Sequence, residues 1–160
     1  MTFYKSNIDR SMQLVRAPEV LCVHINRVTY SPMGMEVLNS APVQIPKSFT
    51  LSEILPEKEL SESNNVDTRY TLGALVEHVG FTPHSGHYMA YKRLFPETTS
   101  FNFGSNKSKY QGKWLQANDE KISIIEEKQV LKRRRGAYLL FYQRVVNTNT
   151  TLEDRKTAND

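Results

Sequence analysis

A sheet-rich domain with little helix is the architecture this chain predicts, on three observations. Apolar and polar residues alternate at period two over long stretches, most plainly from Arg69 to Val79. β-Branched and aromatic residues crowd the apolar runs. Glycine, proline and Asn/Asp pairs interrupt those runs at short intervals. Several of the strands read as apolar on both faces, so they require packing partners that 160 residues barely supply.

Residues 1–16 are polar and mixed, a linker or a lead-in helix. Beyond Pro18, the segment Val20–Tyr30 is β-branched and too short for a helix, and it reads as a buried strand. Ser31-Pro32-Met33-Gly34 is turn chemistry, with a short strand returning at Met35–Leu38. Three prolines and the run Ser61-Glu62-Ser63-Asn64-Asn65 mark residues 39–68 as mostly loop, with a small strand near Val43–Ile45. The alternation from Arg69 is a strand, broken by Gly80–Gly86 and resumed at Tyr88–Arg93. A polar insertion occupies 94–112. Lys113–Gln116 and Lys121–Ile125 are short strands about a turn at Asn118-Asp119. Glu126–Lys132 is a brief helix ended by Gly136, and Ala137–Tyr142 is a last buried strand. Residues 146–160 are polar, rich in Thr and Asn, and read as a disordered tail. The folded unit is therefore 17–145.

Composition narrows the function. The net charge is +4, and the one dense basic run, Lys132-Arg133-Arg134-Arg135, has no interleaved aromatics to stack on bases. That run reads as the solvated end of a helix, not as a nucleic-acid interface. No apolar stretch approaches the roughly 18 residues of a membrane span. The single cysteine, Cys22, rules out an internal disulfide and a Cys-only metal site, and it suits a reducing compartment. Its place in an apolar strand predicts a buried, inert thiol.

Four histidines are the candidates for proton transfer near neutral pH. His24 lies mid-strand in an apolar run and His78 closes a strand; both read as structural. His84 and His87 differ, because Pro83-His84-Ser85-Gly86-His87-Tyr88 puts them at a turn-to-strand junction. There a strand holds the ring rigidly and a cleft stays open to it. Gly86 leaves room for a substrate backbone. Metal binding is disfavoured: a three-residue spacing converges on a helix, not across a glycine turn, and no further His or Cys stands at conventional spacing. A histidine base needs an orienting partner. Asn118-Asp119 can supply one, or can equally be an Asx turn serving its own backbone.

Four segments occur in the order found in one enzyme family. They are Tyr70-Thr71-Leu72-Gly73-Ala74-Leu75-Val76-Glu77-His78-Val79-Gly80, then Ser85-Gly86-His87-Tyr88-Met89-Ala90-Tyr91, then Trp114 with Asn118-Asp119, and last Ala137-Tyr138-Leu139-Leu140-Phe141-Tyr142. Together with Arg16–Arg27 ahead of them, they resemble the ubiquitin-specific peptidases over roughly residues 12–145. The likeness is nearest the fungal and mitochondria-associated branch.

The resemblance implies an α+β, papain-like cysteine peptidase fold, of which this chain is the antiparallel-sheet-rich C-terminal half. It implies a thiol-dependent ubiquitinyl hydrolase acting after the C-terminal glycine of ubiquitin. His87 would be the base, Asn118 the orienter and Asp119 a supporting neighbour, with His84, Ser85, Gly86 and Tyr88 along the ubiquitin tail. No cofactor or metal is implied, and the partners would be ubiquitin and ubiquitinated proteins. A cytoplasmic location is expected, any membrane or mitochondrial attachment belonging to an upstream segment. The sequence departs from the family at Ala117, where members often carry a larger side chain, and in the length of the 94–112 insertion. It departs most at the nucleophile: nothing here resembles the Gly-x-x-Asn-x-Gly-Asn-x-Cys box, and the zinc-binding Cys-x-x-Cys pairs are absent as well. The expectation is a base whose nucleophile comes from an N-terminal half outside this chain, leaving the isolated polypeptide inactive. The competing expectation is an inactive ubiquitin-binding or scaffolding module.

Overall fold

The computed structural model describes residues 16–54, 68–94 and 111–145. Among these residues nine strands follow in chain order: β1 (Val20–His24), β2 (Val28–Tyr30), β3 (Glu36–Leu38), β4 (Ser48–Thr50), β5 (Arg69–Thr82), β6 (Ser85–Arg93), β7 (Lys113–Asn118), β8 (Lys121–Glu126) and β9 (Ala137–Arg144). Among the described residues helix is confined to a 3-10 turn at Leu51–Glu53 and a single α-turn, α1 (Glu127–Val130). The sheet runs β1-β9-β5-β6-β7-β8, with β4 pairing the start of β5, and every ladder is antiparallel. β2 and β3 form a separate hairpin.

The local reasons are legible. The Gly34 N–H donates to the Ser31 carbonyl across Pro32-Met33, and Gly34 takes φ 77, which suits glycine and closes the β2–β3 hairpin. β7 and β8 meet at Asn118 and Lys121, leaving Asp119-Glu120 as the loop. Asp119 stands at φ 50, a conformation Asp tolerates better than most residues.

One face of the sheet carries the core. Tyr70, Leu72, Leu75, Tyr91 and Trp114 are almost wholly buried, and Phe49, Leu51 and Val130 pack over them. Full burial of each such side chain stabilises the fold by about 1.5–3 kcal/mol. Phe49 stacks on Tyr70 at 5.7 Å and meets Tyr142 edge-on at 4.7 Å. Arg27, only 5% exposed, donates to the carbonyls of Asn39, Ala41, Arg134 and Ala137 and so clamps the β2–β3 arm to the turn before β9. At Gly136 a Cβ would stand 2.6 Å from the His78 carbonyl, so only glycine lets that turn approach β5.

The opposite face is also apolar but open. Register places Cys22, Phe141, Ala74, Lys92, Leu115 and Ile124 in one row across six strands. A parallel row runs from His24 through Leu139, Val76, Ala90 and Ala117 to Ile122. Ile122 is 62% and Val20 56% exposed.

Several expectations need correction. Val20–Tyr30 is not one buried strand but two short ones, separated at Ile25–Arg27, the first exposed on alternate residues and the second exposed throughout. Cys22 is exposed, not buried, and His24 is exposed too, its ring edge-on to Tyr138 at 4.7 Å. Both point to the open face, where among the described residues no second layer covers them. Val43–Ile45 forms no strand; the Val43 N–H donates to the Arg134 carbonyl at 3.0 Å instead. β5 continues through Gly80 to Thr82, because the hairpin absorbs the glycine as an irregularity between Val79 and Thr82. The helix expected over Glu126–Lys132 is one turn. Most of the lead-in, the serine-rich loop, the 94–112 insertion and the C-terminal tail lie outside the described residues.

Candidate active site

The site is built where β5, β6 and β7 lie side by side. Val79 pairs with His87 and Glu77 with Met89, while Tyr91 pairs with Gln116 and Ala90 with Ala117. Because Cβ atoms alternate along a strand, His87, Met89 and Tyr91 share the core-bearing face with Trp114, Gln116 and Asn118. Asn118 is thus the diagonal cross-strand neighbour of His87. Its Oδ1 lies 2.5 Å from His87 Nε2. A carbonyl oxygen only accepts, so Nε2 carries the proton, and the lone pair of Nδ1 is left free. The bond selects the tautomer in which Nδ1 can act as a base.

Asp119, next along the loop, puts Oδ2 3.8 Å from the same Nε2. It is 78% exposed at its side chain, so its attraction for a protonated imidazole is weakened by solvent. Two residues from one turn therefore serve one imidazole: an amide fixes its orientation, and a carboxylate adds negative potential to the cation.

Beneath His87 lies a polar stack that sequence reasoning missed. Met89 receives the Gln116 side-chain amide at 3.5 Å. The Tyr91 hydroxyl donates to Glu77 at 2.7 Å, and Arg133 Nε stands 3.8 Å from that carboxylate. Burial, followed by the hydrogen bond to Glu77, holds the Tyr91 phenol well above its ordinary pKa, so it stays a donor. Period-two spacing of 87/89/91 and 114/116/118 carried the signal for these contacts; the pairing of the strands was needed to use it.

The remaining sequence candidates are spread differently. Gly86 precedes His87 in β6. Ser85 Oγ is 2.7 Å from Thr82 Oγ1, closing the β5–β6 turn. His84 is drawn away to Glu36 on β3, Nε2 to Oε2 2.5 Å, and is 76% exposed. Tyr88 pairs with His78 and faces the side of the sheet opposite His87, so it is not brought to the imidazole. Cys22 also lies on that opposite face, on β1, three strands from β6 and about 14 Å away at the usual strand spacing. Among the described residues no group of three or more His, Cys, Asp or Glu stands close enough to hold a metal ion. No described helix is long and apolar enough to cross a membrane.

Comparisons with known proteins agree on one family. Residues 4–142 match the family described as ubiquitin carboxyl-terminal hydrolase. Ubiquitin carboxyl-terminal hydrolase 21 of Arabidopsis thaliana is 31% identical over 152 residues, which is 94% of this chain and 18% of that protein. Ubiquitin carboxyl-terminal hydrolase 10 of Saccharomyces cerevisiae is 30% identical over 153 residues, 96% of this chain and 16% of the relative. This chain thus spans less than a fifth of the length of these relatives. Among solved structures, the Ubp8/Sgf11/Sus1/Sgf73 SAGA DUB module bound to ubiquitin aldehyde superposes with a TM-score of 0.59 at 25% identity, covering 82% of this chain and 26% of that one. The yeast SAGA DUB module gives 0.60 at 24% identity, covering 82% and 26%. The sheet-rich fold matches these neighbours as a papain-like C-terminal half. With the matched region covering most of its length, the chain belongs to the ubiquitin carboxyl-terminal hydrolase family.

Proposed function

We propose that this chain contributes the base and its orienting amide to a deubiquitinating cysteine peptidase whose nucleophile lies in sequence outside these 160 residues. The observation that carries the reading is the 2.5 Å contact between His87 Nε2 and Asn118 Oδ1, which leaves Nδ1 as the free proton acceptor. In the proposed reaction Nδ1 takes the proton of a cysteine thiol. The thiolate attacks the carbonyl of the C-terminal glycine of ubiquitin, and the imidazolium returns the proton to the leaving amine. Water then hydrolyses the acyl-enzyme with His87 again as base. An amide suffices as orienter, because a thiolate–imidazolium pair depends more on direction than on a further negative charge. The substrates would be ubiquitin-conjugated proteins.

The test is reconstitution. Co-expressed with the cysteine-bearing region encoded upstream, the chain is expected to hydrolyse a fluorogenic ubiquitin substrate, and His87→Ala is expected to lower kcat by ~10⁴-fold or more. Turnover unchanged by that substitution would remove His87 from the mechanism.

A further inference from the structure

His78 is a buried imidazole, 8% exposed, that the proposed reaction does not use. Its backbone N–H donates to the Gly136 carbonyl at 2.8 Å. Its ring lies 4.9 Å from the Tyr88 ring at 44°, on the face of the sheet opposite His87. The surroundings of the ring are specific. On both Gly80 and Gly86, a Cβ would stand 3.0 Å from His78 Cε1, and Nε2 occupies the place a Cβ on Gly86 would need. The two glycines that bracket the β5–β6 turn thus form a slot, and the edge of the imidazole fills it.

We propose that His78 is a positioning residue for the base. Its ring backs the Gly86–His87 peptide from behind and holds the His87 side chain at bonding distance from Asn118. This rests on the reading of His87 as the base. The argument is mechanical. Gly86 immediately precedes His87, so a shift of the Gly86 backbone is passed directly to the Cα–Cβ direction of His87. His78 also lines a hollow of about 110 Å³, together with Val28, Leu38, Pro83 and Tyr138 among others. Without the ring, the glycine-bracketed turn has room to settle back. A displacement near 1 Å takes a 2.5 Å hydrogen bond beyond the usual 3.2 Å limit. Losses of about 10²-fold follow from misplacements of that size. A planar, thin side chain with a polar edge is required, because the slot is narrow and walled by peptide groups. A branched aliphatic fills the same volume without entering it.

The experiment reads the His87 ring itself. In the 160-residue chain with ¹⁵N-labelled histidine, NMR is expected to find His87 as a single Nε2–H tautomer. His78→Ala and His78→Leu are expected to give a mixture of tautomers at His87, while His78→Gln, whose flat amide reaches the Nε2 position, keeps the single form. His78→Leu preserves buried volume, so a folded protein is available even if the alanine variant unfolds. A folded His78→Leu chain with His87 still in one tautomer overturns the proposal. In the reconstituted peptidase, His78→Leu should lower kcat ~10²-fold with KM for the ubiquitin substrate unchanged, whereas a rise in KM alone contradicts positioning. The NMR result stands whether or not the chain proves to be part of a peptidase, so failure of the functional reading and failure of this one are read separately.

Discussion

In the proposed mechanism Asn118 and Asp119 divide between two side chains what a single carboxylate does in many triads. The amide fixes the ring at 2.5 Å, and the carboxylate stands farther off at 3.8 Å, in solvent. In the reconstituted peptidase, Asn118→Ala is expected to cost roughly 10–10²-fold in kcat, because the ring loses its direction. Asn118→Asp should retain most of the activity, since Oδ1 keeps its place. Asp119→Ala should cost only a few-fold, and that loss should shrink at high salt, because the pair is exposed. Steady-state kinetics at two ionic strengths separate the two roles. Cys22 makes the contrasting case. Its exposure predicts rapid alkylation by iodoacetamide, monitored by mass spectrometry. Its position on the far face of β1 predicts no covalent capture by a ubiquitin probe bearing a C-terminal electrophile. Labelling of Cys22 by that probe would sink the assignment of an external nucleophile.

Among the elements, the β5–β6 hairpin and the turn before β9 depend on each other. Gly136 brings that turn against the backbone of His78, and Arg27 ties the same turn to the β2–β3 arm through four carbonyls. The contact to the Ala137 carbonyl is buried and the other three are partly buried, so removal of the guanidinium leaves carbonyls that water meets only in part. Arg27→Ala is expected to destabilise the protein by about 3 kcal/mol or more, read by urea denaturation. Arg27→Lys should recover little, because a single ammonium cannot span the fork. Period-two alternation was enough to place β5, β6, β7 and β9 to within a few residues, since the pattern resides in consecutive side chains. The end of β5 was misjudged at Gly80. A glycine that ends a strand and one that bends it look alike until the partner strand is known. The one-turn helix α1 was overdrawn for a similar reason: the residues after Val130 turn to meet the sheet instead of continuing the spiral.

For the domain as a body, the core sits on one side of the sheet, and buried tyrosines hold its edges. The Tyr142 hydroxyl donates to the Pro46 carbonyl at 3.0 Å, and burial pushes its pKa up to about 12. In the unfolded chain a tyrosine releases its proton near 10. The stability tied to this group is therefore fully present below about pH 10 and is lost as pH rises toward about 12. Tyr70 and Tyr91, raised by burial in the same direction, add to the effect. Unfolding free energy is expected to fall across that window, and Tyr142→Phe should make the fall shallower while lowering stability modestly at neutral pH. A variant as steeply alkali-sensitive as the parent would count against this assignment.

Residue types and their spacing were sufficient for most of the strands and for the family likeness, because each depends on neighbours in the chain. They could not say that His87 and Asn118 touch. That contact exists because β6 and β7 pair with Ala90 opposite Ala117, which brings residues on either side of a long insertion onto one face. Nor could they say that Cys22 and His24 are exposed or that Tyr88 turns away from His87. Alternation tells which residues share a face, but only strand pairing and the layer packed above it decide which face is buried.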